Sequence, residues 1–181
     1  MTRVKLVNPA SASGAAAPLL KDIAGAFGVT PNMFRAVANS PAALKSMWGS
    51  FGALGGGKLG ARLGEQIAVA IANRNACQYC LSAHTVLGQK AGATAEQMAD
   101  AQSGRSADPK TAAALTFALK VVEHRAHISD EDVQALSAAG FDDEEIVEIL
   151  AHVALNLFTN YVNVAFAVPL DFPAVAFRKI A

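Results

Sequence analysis

The stretch Gly64-Glu65-Gln66-Ile67-Ala68-Val69-Ala70-Ile71-Ala72-Asn73-Arg74-Asn75-Ala76-Cys77-Gln78-Tyr79-Cys80-Leu81-Ser82-Ala83-His84 holds both cysteines of the chain. Its first half is an unbroken run of small and apolar residues, which reads as a helix over about 60–72. Asn73-Arg74-Asn75 reads as the frayed end of that helix, and a second helix starts around Ala76 or Cys77 and ends near Gly92. Cys77, Cys80 and His84 stand at i, i+3 and i+7, so they share one face of the second helix. The two thiols open it, and the imidazole follows two turns in.

That arrangement favours thiolate chemistry. Backbone N–H groups at a helix start point at an anion there, and the helix dipole favours it. A nearby imidazole can take the thiol proton. Both effects bring a cysteine pKa toward neutrality, and the thiolate is the nucleophile. Spacing of the CxxC type also lets the two sulfurs reach disulfide distance without unwinding the helix. Glu65 lies early in a helix of apolar and small residues, with Ala68, Val69 and Ala72 on its side. A carboxylate on such a face needs a partner. His84 is the natural one, directly or through water, and Glu65 would orient the ring and stabilise its charged form.

Other readings of the same residues remain open here. Two buried structural thiols are the plainest. Zinc accepts all four side chains, Cys77, Cys80, His84 and Glu65, but a structural zinc site draws on two paired motifs and the sequence has no second one. A thioredoxin-type CxxC wants a preceding strand, where a helix is expected here.

Around this centre the chain reads as helix almost throughout from Leu19, rich in Ala, Leu, Glu, Lys and Gln and without a convincing strand. Residues 1–17 read as an irregular arm that could dock onto a neighbouring subunit, and residues 18–181 as one domain. Thr30-Pro31 opens a short helix to about Asn39. Ser40 caps the next, with Pro41 at its first position and Gly55-Gly56-Gly57 at its end. Further helices are expected over about 94–102, 109–125, 129–139 and 142–167, with capping-box pairs Thr94/Gln97 and Ser129/Asp132 and with Asp142 as the last cap. The fold class is therefore all-α, a helical bundle.

Composition narrows the partners. Fifteen basic and fifteen acidic residues cancel, which gives no electrostatic footprint for nucleic acid or an anionic membrane surface. Charged residues make up 17% and apolar ones 52%; so few charges poorly clothe a monomer, and subunit interfaces are expected. Two cysteines are too few for a secreted disulfide scaffold. The stretch from Pro9 to Pro18 is too weakly apolar for a signal segment. The most apolar stretch, 146–170, is broken by His152, Asn156, Thr159, Asn160 and Asn163, which are costly in lipid. The cytoplasm is the expected location.

A Glu twelve residues before a CxxC, with a His four residues after the second Cys, resembles the core signature of the alkylhydroperoxidase AhpD-like family, within the carboxymuconolactone decarboxylase superfamily. Thr30-Pro31-Asn32-Met33-Phe34-Arg35 with Ser40-Pro41 resembles that family's upstream helices. The Asn-rich closing helix ending at Leu170-Asp171-Phe172-Pro173 resembles its tail. The resemblance implies an AhpD-like oligomeric bundle, trimer or hexamer, with antioxidant peroxidase activity. It implies that Cys80 attacks a hydroperoxide and becomes a sulfenic acid, that Cys77 closes a redox-active disulfide with it, and that Glu65 and His84 relay protons. A thiol reductant, protein or small molecule, resets the disulfide, and no other cofactor or metal is implied. Helix-start electrostatics alone favour Cys77 as attacker at least as well. One departure stands out: the best-known peroxidase members have His just before the second Cys, where this chain has Tyr79. The superfamily also contains lactone decarboxylases, which generally lack the CxxC pair. A third reading is a non-enzymatic redox-sensing subunit.

Lesser features have plainer expectations. His152 is expected to be a buried, hydrogen-bonded histidine. His124 and His127 fall near a helix end as dipole partners. Asn156, Asn160 and Asn163 share one helical face, where interhelical hydrogen bonding is favoured over a polar seam at the active site. Leu44, Trp48 and Phe51 are core or interface residues, and Tyr79 could line a peroxide channel.

Overall fold

A proline in the first turn behind a polar cap starts two of the helices. In the computed structural model, which describes residues 2–179, Ser40 Oγ accepts from the Ala43 amide at the start of α3 (Pro41–Gly55). Asp108 Oδ2 accepts from the Thr111 amide at 2.9 Å at the start of α7 (Pro109–Glu123). Capping boxes begin α6 (Ala95–Gln102), α8 (Asp130–Ala138) and α9 (Asp143–Ala165), at Thr94/Gln97, Ser129/Asp132 and Asp142/Glu145. Each such cap is worth about 1 kcal/mol. The remaining α-helices are α1 (Ala16–Phe27), α2 (Asn32–Val37), α4 (Gly60–Arg74) and α5 (Gln78–Lys90), a short 3-10 turn spans Pro9–Ser11, and no strand occurs among the described residues.

Helix α4 is the axis of the bundle. Its run Ile67, Ala68, Val69, Ala70, Ile71 and Ala72 is hydrophobic all round, and a helix of that kind must be buried on every side. All six are at most 2% exposed, enclosed by α5, α6, α7 and α9. The small residues between the two isoleucines let those neighbours approach closely. Phe27, Phe34, Trp48 and Phe51 form a second cluster where α1, α2 and α3 meet, with ring centroids 5.7–6.3 Å apart. That cluster walls the site described below.

Three boundaries depart from the sequence reading, each for a local reason. Helix α1 starts at Ala16, three residues before Leu19. Helix α4 continues past Ala72 to Arg74, because Asn73 does not fray: its side chain exchanges hydrogen bonds of 2.9 Å with the backbone of Arg178 and accepts from Gln102. Helix α7 stops at Glu123, since Arg125 and Ala126 adopt positive φ. The N-terminal arm lies on its own chain. Arg3 donates to the Phe166 and Ala165 carbonyls, Val7 pairs with Arg35, and Asn39 donates to the Lys5 carbonyl. Position 1 of the expected arm and positions 180–181 of the expected domain lie outside the described residues.

Candidate active site

The turn between α4 and α5 fixes the first thiol. Ala76 takes a left-handed φ of 51°. The Ala76 amide then donates to the Asn73 carbonyl, and the Cys77 amide to the Ala72 carbonyl at 2.9 Å. This is a Schellman closure, with alanine where glycine is usual. It leaves Cys77 in an extended conformation as the N-cap of α5, and its Sγ accepts from the Cys80 amide at 3.3 Å. A cap sulfur in that position sits at the positive end of the helix dipole.

Glu65 and His84 meet across the α4–α5 seam. His84 Nδ1 and Glu65 Oε2 are 2.7 Å apart, and the ring is 8% exposed. Gly88, one turn beyond His84, allows the approach: a Cβ there would stand 3.3 Å from Glu65 Cβ and 2.4 Å from Met98 Cε. Burial pushes the His84 pKa down, but the Glu65 charge, its hydrogen bond and the Cys77 charge outweigh this and hold it above 6.5. Cys77 is pulled below the usual thiol value by a hydrogen bond from the Cys80 side chain, against burial, with help from the Cys80 amide and the His84 charge. Cys80 moves the opposite way, raised by burial and by its bond to Cys77. Of the two thiols, Cys77 is therefore the one that ionises more readily and Cys80 the one that keeps its proton. Both thiols are free and at most 2% exposed.

Helix α9 supplies a further contact. Asn163 Nδ2 donates to Cys80 Sγ at 3.2 Å, and Thr159, one turn earlier, faces the same sulfur while its hydroxyl donates to the Asn156 carbonyl at 3.1 Å. Both act against the burial that disfavours a Cys80 thiolate. The three asparagines seen together in the sequence therefore part company. Asn163 serves Cys80, Asn160 Oδ1 accepts from Asn75 at 3.1 Å, and Asn156 bonds back to the His152 carbonyl. The helical register of the asparagines was visible; the sulfur facing only one of them was not.

The approach to Cys80 is apolar. A small cavity of about 30 Å³ reaches Cys80 and His84 and is walled by Phe27, Met33, Phe34, Phe51, Tyr79 and Phe172, among others. Tyr79 does line it, as its position between the thiols suggested. Its hydroxyl donates to Asp171 Oδ2 at 2.6 Å and accepts from the Met33 amide at 3.3 Å. Burial, with the Asp171 bond, holds the Tyr79 pKa far above the usual phenol value, so it stays protonated. Phe172 packs edge-on to Tyr79, with centroids 5.7 Å apart. The tail that carries it is tied along α5 by Gln78 to the Val175 carbonyl at 2.6 Å and by the Val175 amide to Ser82 Oγ at 3.2 Å. The part played by Asp171 and Phe172 had no signal beyond their place in a tail-like segment.

His152 is not the hydrogen-bonded core histidine expected. It is half-buried, and its ring nitrogens bond to no other described residue. His124 caps the C-terminus of α7. Among the described residues, no group of three or more His, Cys, Asp or Glu side chains converges to hold a metal ion, and no helix is long and apolar enough to cross a membrane.

Comparison with known proteins gives a consistent picture. Residues 40–124 match the carboxymuconolactone decarboxylase family. No curated protein matches the chain in sequence. Among solved structures, an uncharacterized peroxidase-related protein of Ralstonia eutropha JMP134 with the alkylhydroperoxidase AhpD core is 25% identical, with a TM-score of 0.82 over 94% of this chain and 92% of that one. A peroxidase-related protein of Silicibacter sp. TM1040 is 24% identical, with a TM-score of 0.78 over 97% and 96%. The debrominase Bmp8 shares the fold at 22% identity and a TM-score of 0.80 over 94% and 93%. Residues 40–124 thus match the carboxymuconolactone decarboxylase family, and the whole chain shares the fold of the peroxidase-related structures with the AhpD core.

Proposed function

We propose that this protein is a thiol-dependent hydroperoxide reductase working through a Cys77–Cys80 disulfide. The observation that carries the reading is the hydrogen-bonded Glu65–His84 pair beside Cys77, which feels the His84 charge, with Cys80 next to it at the end of an apolar cavity. The AhpD core of the Ralstonia protein supports it. A hydroperoxide's terminal oxygen meets Cys80. As Cys80 attacks, its proton passes along the relay, the O–O bond breaks, and the alkoxide leaves as the alcohol after taking a proton. Cys80 is then a sulfenic acid. The Cys77 thiolate attacks that sulfur, the S–O bond breaks, and the departing hydroxide takes the proton held on His84 to become water. Two equivalents of an external thiol reduce the disulfide by exchange. Asn163 and Thr159 stabilise the charge as it moves from Cys77 to Cys80.

The exposed apolar residues Val147, Leu150, Phe158, Tyr161 and Val164 on α9 support the homo-oligomer, trimer or hexamer, that the family resemblance implies. They lie at helical spacing on one helix, as a subunit interface would need.

Reductive debromination is the second reading. It is supported by the fold shared with the debrominase, one structure of which holds 2,3,4-tribromopyrrole in a Cys-to-Ala variant, and by the aromatic walls of the cavity at Cys80. The same dithiol would replace carbon–bromine by carbon–hydrogen, release bromide and a proton, and become the disulfide. Steady-state assay separates the two. With dithiothreitol as reductant, the peroxidase reading expects consumption of cumene hydroperoxide that vanishes in Cys77→Ser/Cys80→Ser. Peroxide turnover equal in that double variant would sink dithiol chemistry. Bromide release from a bromopyrrole without peroxide consumption would install the second reading.

A further inference from the structure

His84 and Phe51 line a second cavity besides the one that opens on Cys80. The two differ in chemistry. The first carries the sulfur and a wall of aromatic rings. The second, about 130 Å³, carries Glu65 and His152 and no cysteine. Its size admits several waters, and Glu65 and His152 offer them polar partners that the aromatic wall of the first lacks. His152 projects from α9 onto the backbone of α4, where a Cβ on Gly64 would stand 2.9 Å from His152 Cε1. The neighbouring residue of α4 is Glu65. A glycine at that position is what lets an imidazole reach the carboxylate's side of the helix. Neither ring nitrogen bonds to another described residue, as suits a group that trades protons with water.

We infer that the second cavity is a proton port, with His152 passing protons between solvent and the Glu65–His84 pair. This rests on the dithiol reading. Its use lies in the reductive half of the cycle. A thiol reductant attacks as the thiolate, so two thiolates plus the Cys77–Cys80 disulfide give the reductant's own disulfide and two protein thiolates. Returning to the resting state then takes up two protons, one on Cys80 and one on His84. The apolar cavity at Cys80 is a poor conductor for them, and the hydrated cavity at Glu65 is a direct one.

The charges around His152 suit that role. Glu65 faces it from α4, His84 from α5 and Glu148 from its own helix, while α3 contributes only Phe51, Leu54 and Gly55 to the cavity. Glu148 is engaged by the Lys58 and Leu59 amides at 3.0 and 3.1 Å. Burial lowers the His152 pKa below 6.5 against the pull of both carboxylates. The ring is therefore neutral near neutral pH and free to accept a proton and hand it on.

The test uses the full chain with its disulfide preformed by diamide. Reduction by dithiothreitol, whose own two protons balance the two the protein takes up, is followed by the rate at which oxidised dithiothreitol appears by its absorbance, as a function of pH, in wild type, His152→Gln and Ala61→Leu, the last filling the cavity from its exposed rim. Proton transfer by a positioned side chain contributes ~10²–10⁴-fold, so a loss of at least about tenfold is expected in both variants. Added imidazole should restore His152→Gln but not the plugged variant. A rate and pH profile equal to wild type in both variants would overturn the port, as would a loss in His152→Gln that imidazole does not relieve, which marks a structural defect. Failure of the wild type to consume any peroxide would remove the peroxidase reading while leaving this measurement intact.

Discussion

The side-chain amide of Asn163 stands 3.2 Å from Cys80 Sγ, and its other end, Oδ1, is buried with no hydrogen-bond partner among the described residues. An orphaned buried carbonyl costs about 1–3 kcal/mol. A side chain that keeps such a group in a helix that could carry leucine there is kept for its donor. Replacing Asn163 by Leu should therefore leave thermal stability unchanged or raised. It should slow oxidation of Cys80 by about tenfold or more, since a hydrogen bond to a charged group contributes ~1.5–3 kcal/mol. Thermal melts beside peroxide-driven thiol loss check both halves. A stability loss with unaltered thiol kinetics would make Asn163 structural.

The Glu65–His84 contact carries a pH signature. The imidazole pKa is raised in the folded protein, so its contribution to stability is complete below 6.5 and disappears as pH rises through the folded value. Glu65→Gln should then cost most stability near about pH 6 and least near about pH 9. Its oxidation rate should fall by ~10²-fold or more, and the acid limb of its rate profile should move upward as Cys77 loses the imidazolium beside it. Denaturant melts at the two pH values, run with the rate profile, test this. A penalty independent of pH would mean the pair is not an ion pair.

Ala76 stores strain at the head of α5. Its φ of 51° suits glycine, and an L-residue there costs about 1 kcal/mol. Ala76→Gly should raise stability by ~0.5–1 kcal/mol, about 1–4 °C in Tm for a chain of this size. Ala76→Val should lower it by more and displace Cys77 from the cap. Scanning calorimetry reads the first effect. A lower Tm for the glycine variant would contradict the assigned backbone geometry.

Tyr79 and Asp171 tie the tail to the thiol helix at 2.6 Å. Asp171→Ala leaves the buried phenol without its acceptor and should destabilise by ~1–2 kcal/mol. It should also loosen Phe172 from the cavity wall, so a bulky hydroperoxide gains in rate relative to hydrogen peroxide. Competition between cumene hydroperoxide and hydrogen peroxide measures the second effect. An unchanged ratio would mean Phe172 does not gate the cavity.

Helix starts and the thiol register were legible because they are local. Ser40-Pro41, Asp108-Pro109, Thr94/Gln97 and Asp142 each declare a cap within a few residues, and the structure uses all four. The Glu65–His84 contact was legible through chemistry, since a carboxylate on a small-residue face must find a donor. Features that depend on helix-to-helix placement were not. Asn163 could be set on a face of α9 from its register, but not against Cys80, 83 positions away. Asp171 and Phe172 act from an extended tail that carries no periodicity. His152 was read as buried because its neighbours are apolar; the glycine at 64, which opens the space it occupies, lies on another helix.

The most direct test of the account is a thiol count on reduced protein before and after one equivalent of cumene hydroperoxide, in wild type and in Cys80→Ser. The account predicts rapid loss of both thiols in wild type, a Cys77–Cys80 disulfide by mass, and a Cys77 thiol that persists in the variant. Retention of both thiols in wild type, or oxidation of Cys77 at an undiminished rate in Cys80→Ser, would contradict it.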